Sequence, residues 1–455
     1  MAIINKAPSP AITPTFAPTV APAAPVPDKH QVRNSVKASF IGTFIEWFDY
    51  AAYVYMSAIV ATVFFPNLEG RTALIFTFGL FALSFLVRPI GAIVWGHIGD
   101  RLGRVRTLST SIVLMSSATF CIGILPSHAA IGAAAPLLLL ACRMVQGFSA
   151  AGEYAGASTH LSEVAPKDKR GLFAAVVPAA TASGLLLGSL IAAALTGLLD
   201  DASLTSWGWR IPFLLAAPLG IYGLMIRRHT MESEQFTQAT ASDTPSSSTT
   251  PIVEVLRYPR ALVVAFAGAV LNAIGFYVIL TYLPTYLSEE LGMNSTQAFI
   301  SSSIASAFYV AFALLTGYLS DRLGRRTTML VAAAAMLVGI VPAFILLDTS
   351  GFLVIVTVQV CLGGILALND GVLPSFLSEQ FPTSTRLTGF ALTFNLANAI
   401  FGGTAPMVAT WLIGSTGSVL APAFYLAVAA IVTGVAVAFA APTNDLQGHT
   451  SKKEI

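Results

Sequence analysis

Twelve long apolar stretches, each close to the length that crosses a bilayer as a helix, leave this chain few folds to choose from. They fall near residues 38–65, 73–96, 106–126, 133–162, 172–199, 209–227, 260–288, 298–319, 328–347, 352–378, 389–414 and 420–441. A bilayer core is crossed by roughly 20 apolar residues in helical form. Strands of a membrane barrel alternate apolar and polar residues and contain no such runs. Charged residues make up 10% of the chain, where a soluble domain carries about 25%, and the mean hydropathy is +0.76. The sequence therefore predicts an all-α membrane protein with twelve transmembrane helices.

Basic residues set the expected orientation. Arg101, Arg104 and Arg106, then Lys167, Lys169 and Arg170, then Arg227, Arg228, Arg257 and Arg260, then Arg322, Arg325 and Arg326, and finally Arg386 all fall in alternate connections. The other connections carry almost none, Arg71 being the exception. Basic loops stay cytoplasmic, so both termini are predicted inside. Residues 1–34 read as a disordered cytoplasmic tail, because the Pro-rich start has no apolar segment of the signal-peptide kind. The Ser/Thr-rich stretch 229–256 reads as a cytoplasmic linker between six-helix bundles at 35–228 and 257–441, and 442–455 as a second tail.

The two bundles repeat in sequence. Gly96, Asp100, Arg101, Gly103 and Arg104 recur in spacing as Ser320-Asp321-Arg322-Leu323-Gly324-Arg325, preceded by Gly317. Leu161-Ser162-Glu163 with Pro166 and Arg170 returns as Leu377-Ser378-Glu379 with Pro382 and Arg386. Two markers repeated in the same order point to duplication. Two pseudo-symmetric halves with a site between them suit alternating access.

Other classes find no support. No phosphate-binding Gly-x-x-x-x-Gly-Lys-Ser/Thr loop is present. The six histidines are scattered, so no metal or nucleophile constellation emerges and no cofactor or catalytic residue is expected. Cys121, Cys142 and Cys361 share no ligand spacing and read as small buried residues. No basic patch interleaved with aromatics indicates nucleic acid. A channel is the remaining rival, and the six-plus-six repeat fits rocking halves better than a fixed pore.

The Gly-x-x-x-Asp-Arg-x-Gly-Arg loop, present twice, resembles the marker of the major facilitator superfamily, and the resemblance covers residues 33–441. Within it the chain is similar to the metabolite:proton symporters, through Glu46-Trp47-Phe48-Asp49-Tyr50, Arg88-Pro89-Ile90-Gly91, Gln146-Gly147-Phe148-Ser149, Gly152-Glu153-Tyr154 and Trp207-Gly208-Trp209-Arg210-Ile211-Pro212-Phe213. It looks most like the proline/glycine-betaine transporters, through Thr119–Gly123, Gly152–Ser158 and Leu280–Ser288. Some osmosensory members add a C-terminal coiled coil; no heptads follow Pro442 here. The resemblance implies the major facilitator fold in a bacterial inner membrane. It also implies a monomer that moves a small solute with protons. The substrate is expected to be a zwitterion such as proline or betaine, with organic acids such as 2-oxoglutarate, citrate or shikimate as the alternative.

Charges at bilayer depth are the candidate site. Glu46 and Asp49 stand one turn apart on one face of the first span. A carboxylate in hydrocarbon costs several kcal/mol and marks function by default. Glu46, Asp49, Glu153 and Asp370 are therefore candidate proton sites, against a structural reading as bonded helix neighbours. Arg143 can hold a substrate carboxylate in bidentate fashion, or instead satisfy Glu46 or Asp49. Gln146 lies beside it, and Asn369 precedes Asp370. Arg88, before Pro89, can snorkel to the cytoplasmic surface. Trp47, Tyr50, Tyr53, Tyr277 and Tyr282 offer ring faces to a quaternary ammonium, or else belong to interfacial belts. The repeated loops are expected to latch the halves, with an acid at a helix N-terminus and pairing to Arg across the interface.

Overall fold

The computed structural model describes residues 29–440 except 103, 151, 167, 229–250, 350 and 383–384. Within helices, the side chains of 29–31, 96–97, 99–108, 227–228 and 251–252 are also outside the description. The expected tail 442–455 and most of the expected linker lie beyond it, although helix already begins at Lys29 and a short helix spans Pro251–Val255.

The described residues are helical, with no strand among them. The first apolar stretch forms α1, Val32–Tyr55, which bends by 58° at Met56 into Ser57–Phe64. Then come α2, Gly70–Trp95; α3, Arg104–Ile124; and α4, in two segments at Ala134–Ser149 and Glu153–Val164. The first half closes with α5, Arg170–Leu198, and α6, Gly208–Ile226. The second half holds α7, Pro259–Glu290; α8, Ser295–Leu323; α9, Arg325–Thr349; α10, Phe352–Glu379; α11, Arg386–Thr416; and α12, Ala421–Ala438. Ten of these are long and apolar enough to cross a membrane, and bent α1 makes an eleventh. The protein is thus an all-α multi-pass membrane protein. The third predicted span is the helix α3, 21 residues long, with side chains described from Ser109 onward.

Close packing explains the small residues. A Cβ on Gly147 of α4 would lie 1.8 Å from the Ser84 carbonyl oxygen of α2. One on Gly184 of α5 would lie 2.6 Å from the Phe44 carbonyl oxygen of α1. In lipid, where apolar burial drives little helix association, such backbone approach supplies the van der Waals contact. Across the seam between halves, α5 runs along α8, and α2 along α11. The Trp207-Gly208-Trp209-Arg210 motif locks one end of the first half. The Arg210 guanidinium donates to the carbonyls of Gly123 (2.9 Å) and Leu125 (2.7 Å) at the end of α3 and lies over the Trp209 ring. That placement satisfies orphan helix-end carbonyls with a cation.

The cysteine expectation needs correction. Cys121 and Cys361 are exposed on the outside of the bundle and Cys142 is half-buried. A small apolar thiol loses nothing by facing lipid, so burial in the core is not required of it.

Two stretches of α7, Phe276–Tyr282 and Tyr286–Glu290, and one of α11, Asn398–Gly402, are wound as π-helix. Single π turns inside α-helices gather at functional sites.

Candidate functional site

Two buried polar clusters meet near the middle of the seam. The first belongs to the N-terminal half. α1 carries Glu46 and Asp49 inward, each about 1% exposed. Arg88 comes from α2, where it is 3% exposed, and its Nη2 stands 3.5 Å from Glu46 Oε1. Its guanidinium lies over the rings of Phe85 (4.2 Å) and Tyr50 (4.9 Å). The snorkelling expected of Arg88 does not occur, because a buried acid and two ring faces offer it partners inside.

Arg143, from α4, is fully buried. It donates to Gln146 Oε1 (2.8 Å) and Ser84 Oγ (3.3 Å) and lies 4.1 Å from the Tyr53 ring centroid and 5.0 Å from that of Phe81. Gln146 Nε2 passes the chain on to Thr119 Oγ1 of α3. Tyr53 donates to the Thr77 carbonyl at 2.9 Å. Asp49 is within reach of the Thr119 hydroxyl and within the field of Arg143, yet neither carboxylate oxygen has a hydrogen-bond partner of good geometry. Arg143 Nε is also buried without an acceptor.

The second cluster is in the C-terminal half. Asp370, at the turn of α10, accepts from Tyr309 Oη of α8 at 2.6 Å and from Asn369 Nδ2 at 3.0 Å, and Asn272 of α7 lies within reach of it. Tyr277 packs on Trp47 (5.8 Å) and Phe85 (5.5 Å) of the other half, joining the clusters through rings. Glu153 is buried at the start of the second segment of α4. Tyr282 stands apart: it packs on Phe78 (5.7 Å), and its hydroxyl accepts from Thr410 at 3.1 Å, well along α7 from the acids.

Sequence reasoning missed the cleft between the clusters. It is lined by Trp47 and Tyr154 from one half and by Asn272, Phe276, Phe394 and Asn398 from the other. Trp47 meets Phe276 edge-on at 4.9 Å, and Tyr154 stacks on Phe394 at 4.3 Å. Asn272 and Asn398 carried a signal, since an amide inside an apolar span needs a partner or a cavity.

Contacts between the halves close both ends of the molecule. At the end bearing the basic loops, Asp321 of α8 accepts from the backbone N–H groups of Gly171 (2.8 Å) and Leu172 (3.1 Å) at the start of α5. A carboxylate at a helix N-terminus meets both unpaired donors and the positive end of the dipole. Arg325 pairs with Asp321 (2.8 Å) and reaches Glu379 (3.3 Å). At Asp321 the crossing is made by backbone N–H groups, and its arginine partner Arg325 belongs to the same half, while Arg170 of the first half lies within the field of Glu379. Arg322 lies over Tyr318, and Gly324 ends α8 with φ of +87°, a value that favours glycine. The earlier copy of the loop, Gly96, Asp100, Arg101, Gly103 and Arg104, lies outside the described residues.

At the opposite end Arg71 of α2 pairs with Glu290 of α7 at 2.7 Å, which accounts for the one basic residue out of pattern. Nearby, Thr296 donates to Thr196 (3.2 Å), Ser189 meets Ser303 (2.8 Å), and Tyr55 donates to the Leu280 carbonyl (2.8 Å). Arg71→Glu should place two acids face to face and slow initial uptake several-fold, and Arg71→Glu with Glu290→Arg should recover most of it. An exposed pair is worth about 0–1 kcal/mol, so a swap that fails to recover would assign the loss to packing.

Comparison with known proteins now adds to this geometry. Residues 39–406 match the family model described as Major Facilitator Superfamily. A protein of Staphylococcus aureus (strain COL), provisionally described as a proline/betaine transporter, is 36% identical over 414 residues, covering 90% of this chain and 89% of that one. The proline/betaine transporter of Escherichia coli (strain K12) is 34% identical over 421 residues, covering 90% and 84%. Among solved structures, the xylose transporter XylE from E. coli, in a partially occluded inward open conformation, superposes with a TM-score of 0.69 at 19% identity, covering 90% of this chain and 97% of that one. With its family model spanning most of the chain and its relatives matched nearly end to end, this membrane protein belongs to the Major Facilitator Superfamily of transporters.

Proposed function

We propose that the chain is a proton-coupled symporter of a small zwitterion such as proline or glycine betaine, working by alternating access and catalysing no chemical step. The observation that carries this reading is the pair of buried acid clusters at the seam. Asp49 is buried between helices beside a buried cation, with the Thr119 hydroxyl within reach and neither oxygen in a hydrogen bond of good geometry. A proton is the simplest neutralising partner for such a group. Asp370 is placed comparably in the other half, held by Tyr309 and Asn369. Glu46 and Glu153 are the further candidate proton sites. Among the earlier substrate candidates, Trp47, Tyr50 and Tyr277 face one another at the seam, and Arg143 with Gln146 and Tyr53 lies just behind. The substrate class rests on the relatives' names and on these rings.

The same reading places the basic-loop end and both termini in the cytoplasm of a bacterial cell, by the distribution of Lys and Arg. One chain suffices, since both halves of the site come from it.

The test is uptake by the full chain in proteoliposomes. A protonophore should abolish accumulation, and ATP should be without effect at a fixed gradient. Labelled proline uptake should be competed by betaine and not by 2-oxoglutarate or shikimate. Accumulation indifferent to the proton gradient would remove the coupling, and competition by the organic acids alone would replace the substrate.

A further inference from the structure

The cleft at the seam has a lining unlike the clusters on either side of it. Four of its walls are rings: Trp47 against Phe276 and Tyr154 against Phe394, each pair drawn from both halves. The other polar walls are the amides Asn272 and Asn398 and the Thr181 hydroxyl, which donates to the Val177 carbonyl of its own helix, and Pro178 completes the lining. No acid or guanidinium lines it among the described residues. The Trp47 indole N–H, a donor only, is buried without an acceptor. Leaving such a donor unmatched costs about 1–3 kcal/mol, so its retention beside a cleft points to an acceptor on a ligand. The guanidiniums lie outside this lining and already have partners of their own, although Arg88 Nε and Nη2 and Arg143 Nε are also buried without a hydrogen-bond acceptor. Arg88 faces Glu46, Phe85 and Tyr50, and Arg143 faces Gln146, Ser84 and Tyr53.

We propose that the substrate binds in this neutral cleft and not on the arginines. Its cationic end is boxed by Trp47, Tyr154, Phe276 and Phe394, and its carboxylate is received by the Trp47 N–H and the amides of Asn272 and Asn398. The proposal rests on the zwitterion reading above and deepens it. Ring faces attract an ammonium through their quadrupole, most strongly where water is excluded. A ligand of zero net charge matches a lining of zero net charge, whereas a dicarboxylate would enter with no cation to meet it. In the closed arrangement Tyr154 and Phe394 stack on each other, and a bound ammonium replaces that ring–ring contact. Asn272 lies between the cleft and Asp370, so the amide that meets the carboxylate also stands beside an acid of the second cluster.

The experiment is binding of labelled betaine to the purified full chain in proteoliposomes, competed by 3,3-dimethylbutanoate, which has carbon in place of the betaine nitrogen and so keeps shape and carboxylate but loses the cation. The unmodified protein should take the isostere at least about tenfold more weakly. Phe276→Leu should narrow that gap. Trp47→Phe, which keeps a ring and loses the N–H, should raise the betaine KM about tenfold and leave the maximal rate near its starting value. Equal competition by the isostere on the unmodified protein overturns the box, and this comparison needs no variant to fold. An unchanged KM in both variants, with a raised one in Arg143→Lys, overturns the site in favour of the arginine. If the unmodified protein binds an organic acid and neither betaine nor proline, the zwitterion reading falls and the box with it. If it accumulates betaine with protons while the variants behave as the parent, only the box falls.

Discussion

Arg143→Ala is expected to abolish accumulation while the protein remains in the membrane at near-normal amount. The guanidinium is fully buried, ties α4 to α2 through Ser84, and is the cation whose field reaches Asp49. The two form no direct ion pair, yet removing the cation leaves the buried acid uncompensated, at a cost approaching the roughly 3–5 kcal/mol of a broken buried pair. At 1.36 kcal/mol per decade, that is a loss on the order of a hundredfold or more in any state that needs Asp49 ionised. The cost falls on the transport cycle more than on insertion, since the apolar helices and their glycine contacts are untouched. Arg143→Lys keeps the charge but loses the planar fork that meets Gln146 and Ser84 together, and should retain a measurable fraction of uptake. Normal accumulation by Arg143→Ala, measured against the amount of protein in the membrane, would remove Arg143 from the mechanism.

Gly317→Ala is expected to have a comparably large effect through a different route. On α8, the added Cβ would fall 2.4 Å from the Ala175 Cβ and 2.7 Å from the Gly171 carbonyl oxygen of α5. These are the residues beside the Asp321 clasp, so the methyl group acts as a wedge at the basic-loop end and clashes only when that end is shut. Overpacking of this kind costs about 1–3 kcal/mol, and a cost borne by one state alone shifts the population between states by roughly five- to 150-fold. The predicted outcome is a protein that still binds substrate but rests open at the basic-loop end and transports slowly. A cysteine at Thr181, on the cleft wall, in a background lacking Cys121, Cys142 and Cys361, should react about tenfold faster with a thiol reagent applied from that side. Unchanged labelling from both sides would mean that the helices yield locally instead of parting.

Much of this was legible in the sequence, for a physical reason. Hydrocarbon tolerates only helices and closed barrels, whose backbones are internally satisfied, so long apolar runs fix helical spans, and charges such as Glu46, Asp49, Arg143 and Asp370 stand out against them. The duplicated Asp-Arg loops fix the two halves. What stayed hidden depends on which helices touch. Arg88 reads as a residue near the membrane surface until α1 brings Glu46 beside it. Nothing local to Arg71 pairs it with Glu290, 219 positions away. The cleft escaped because Tyr154, Asn272, Phe394 and Asn398 come from three helices and no single stretch of sequence contains the pattern. Tyr282 reads with the central rings because one residue type recurs along α7, and its distance along the helix separates it from them. The π-wound stretch Phe276–Tyr282 left no mark on apolar periodicity, since all seven of its residues are buried and no polar face marks a turn.

That winding has a mechanical side. A π turn accommodates one more residue than an α turn before its hydrogen bond closes, so rewinding one of them to α geometry rotates all that follows by about 100° and advances it by about 1.5 Å. α7 holds such turns between Phe276, on the cleft wall, and Glu290, at the far ion pair. A slip of a single residue at Phe276–Tyr282 would therefore swing the Glu290 carboxylate off Arg71 like a key turned in a lock, with no bending of the helix axis at all.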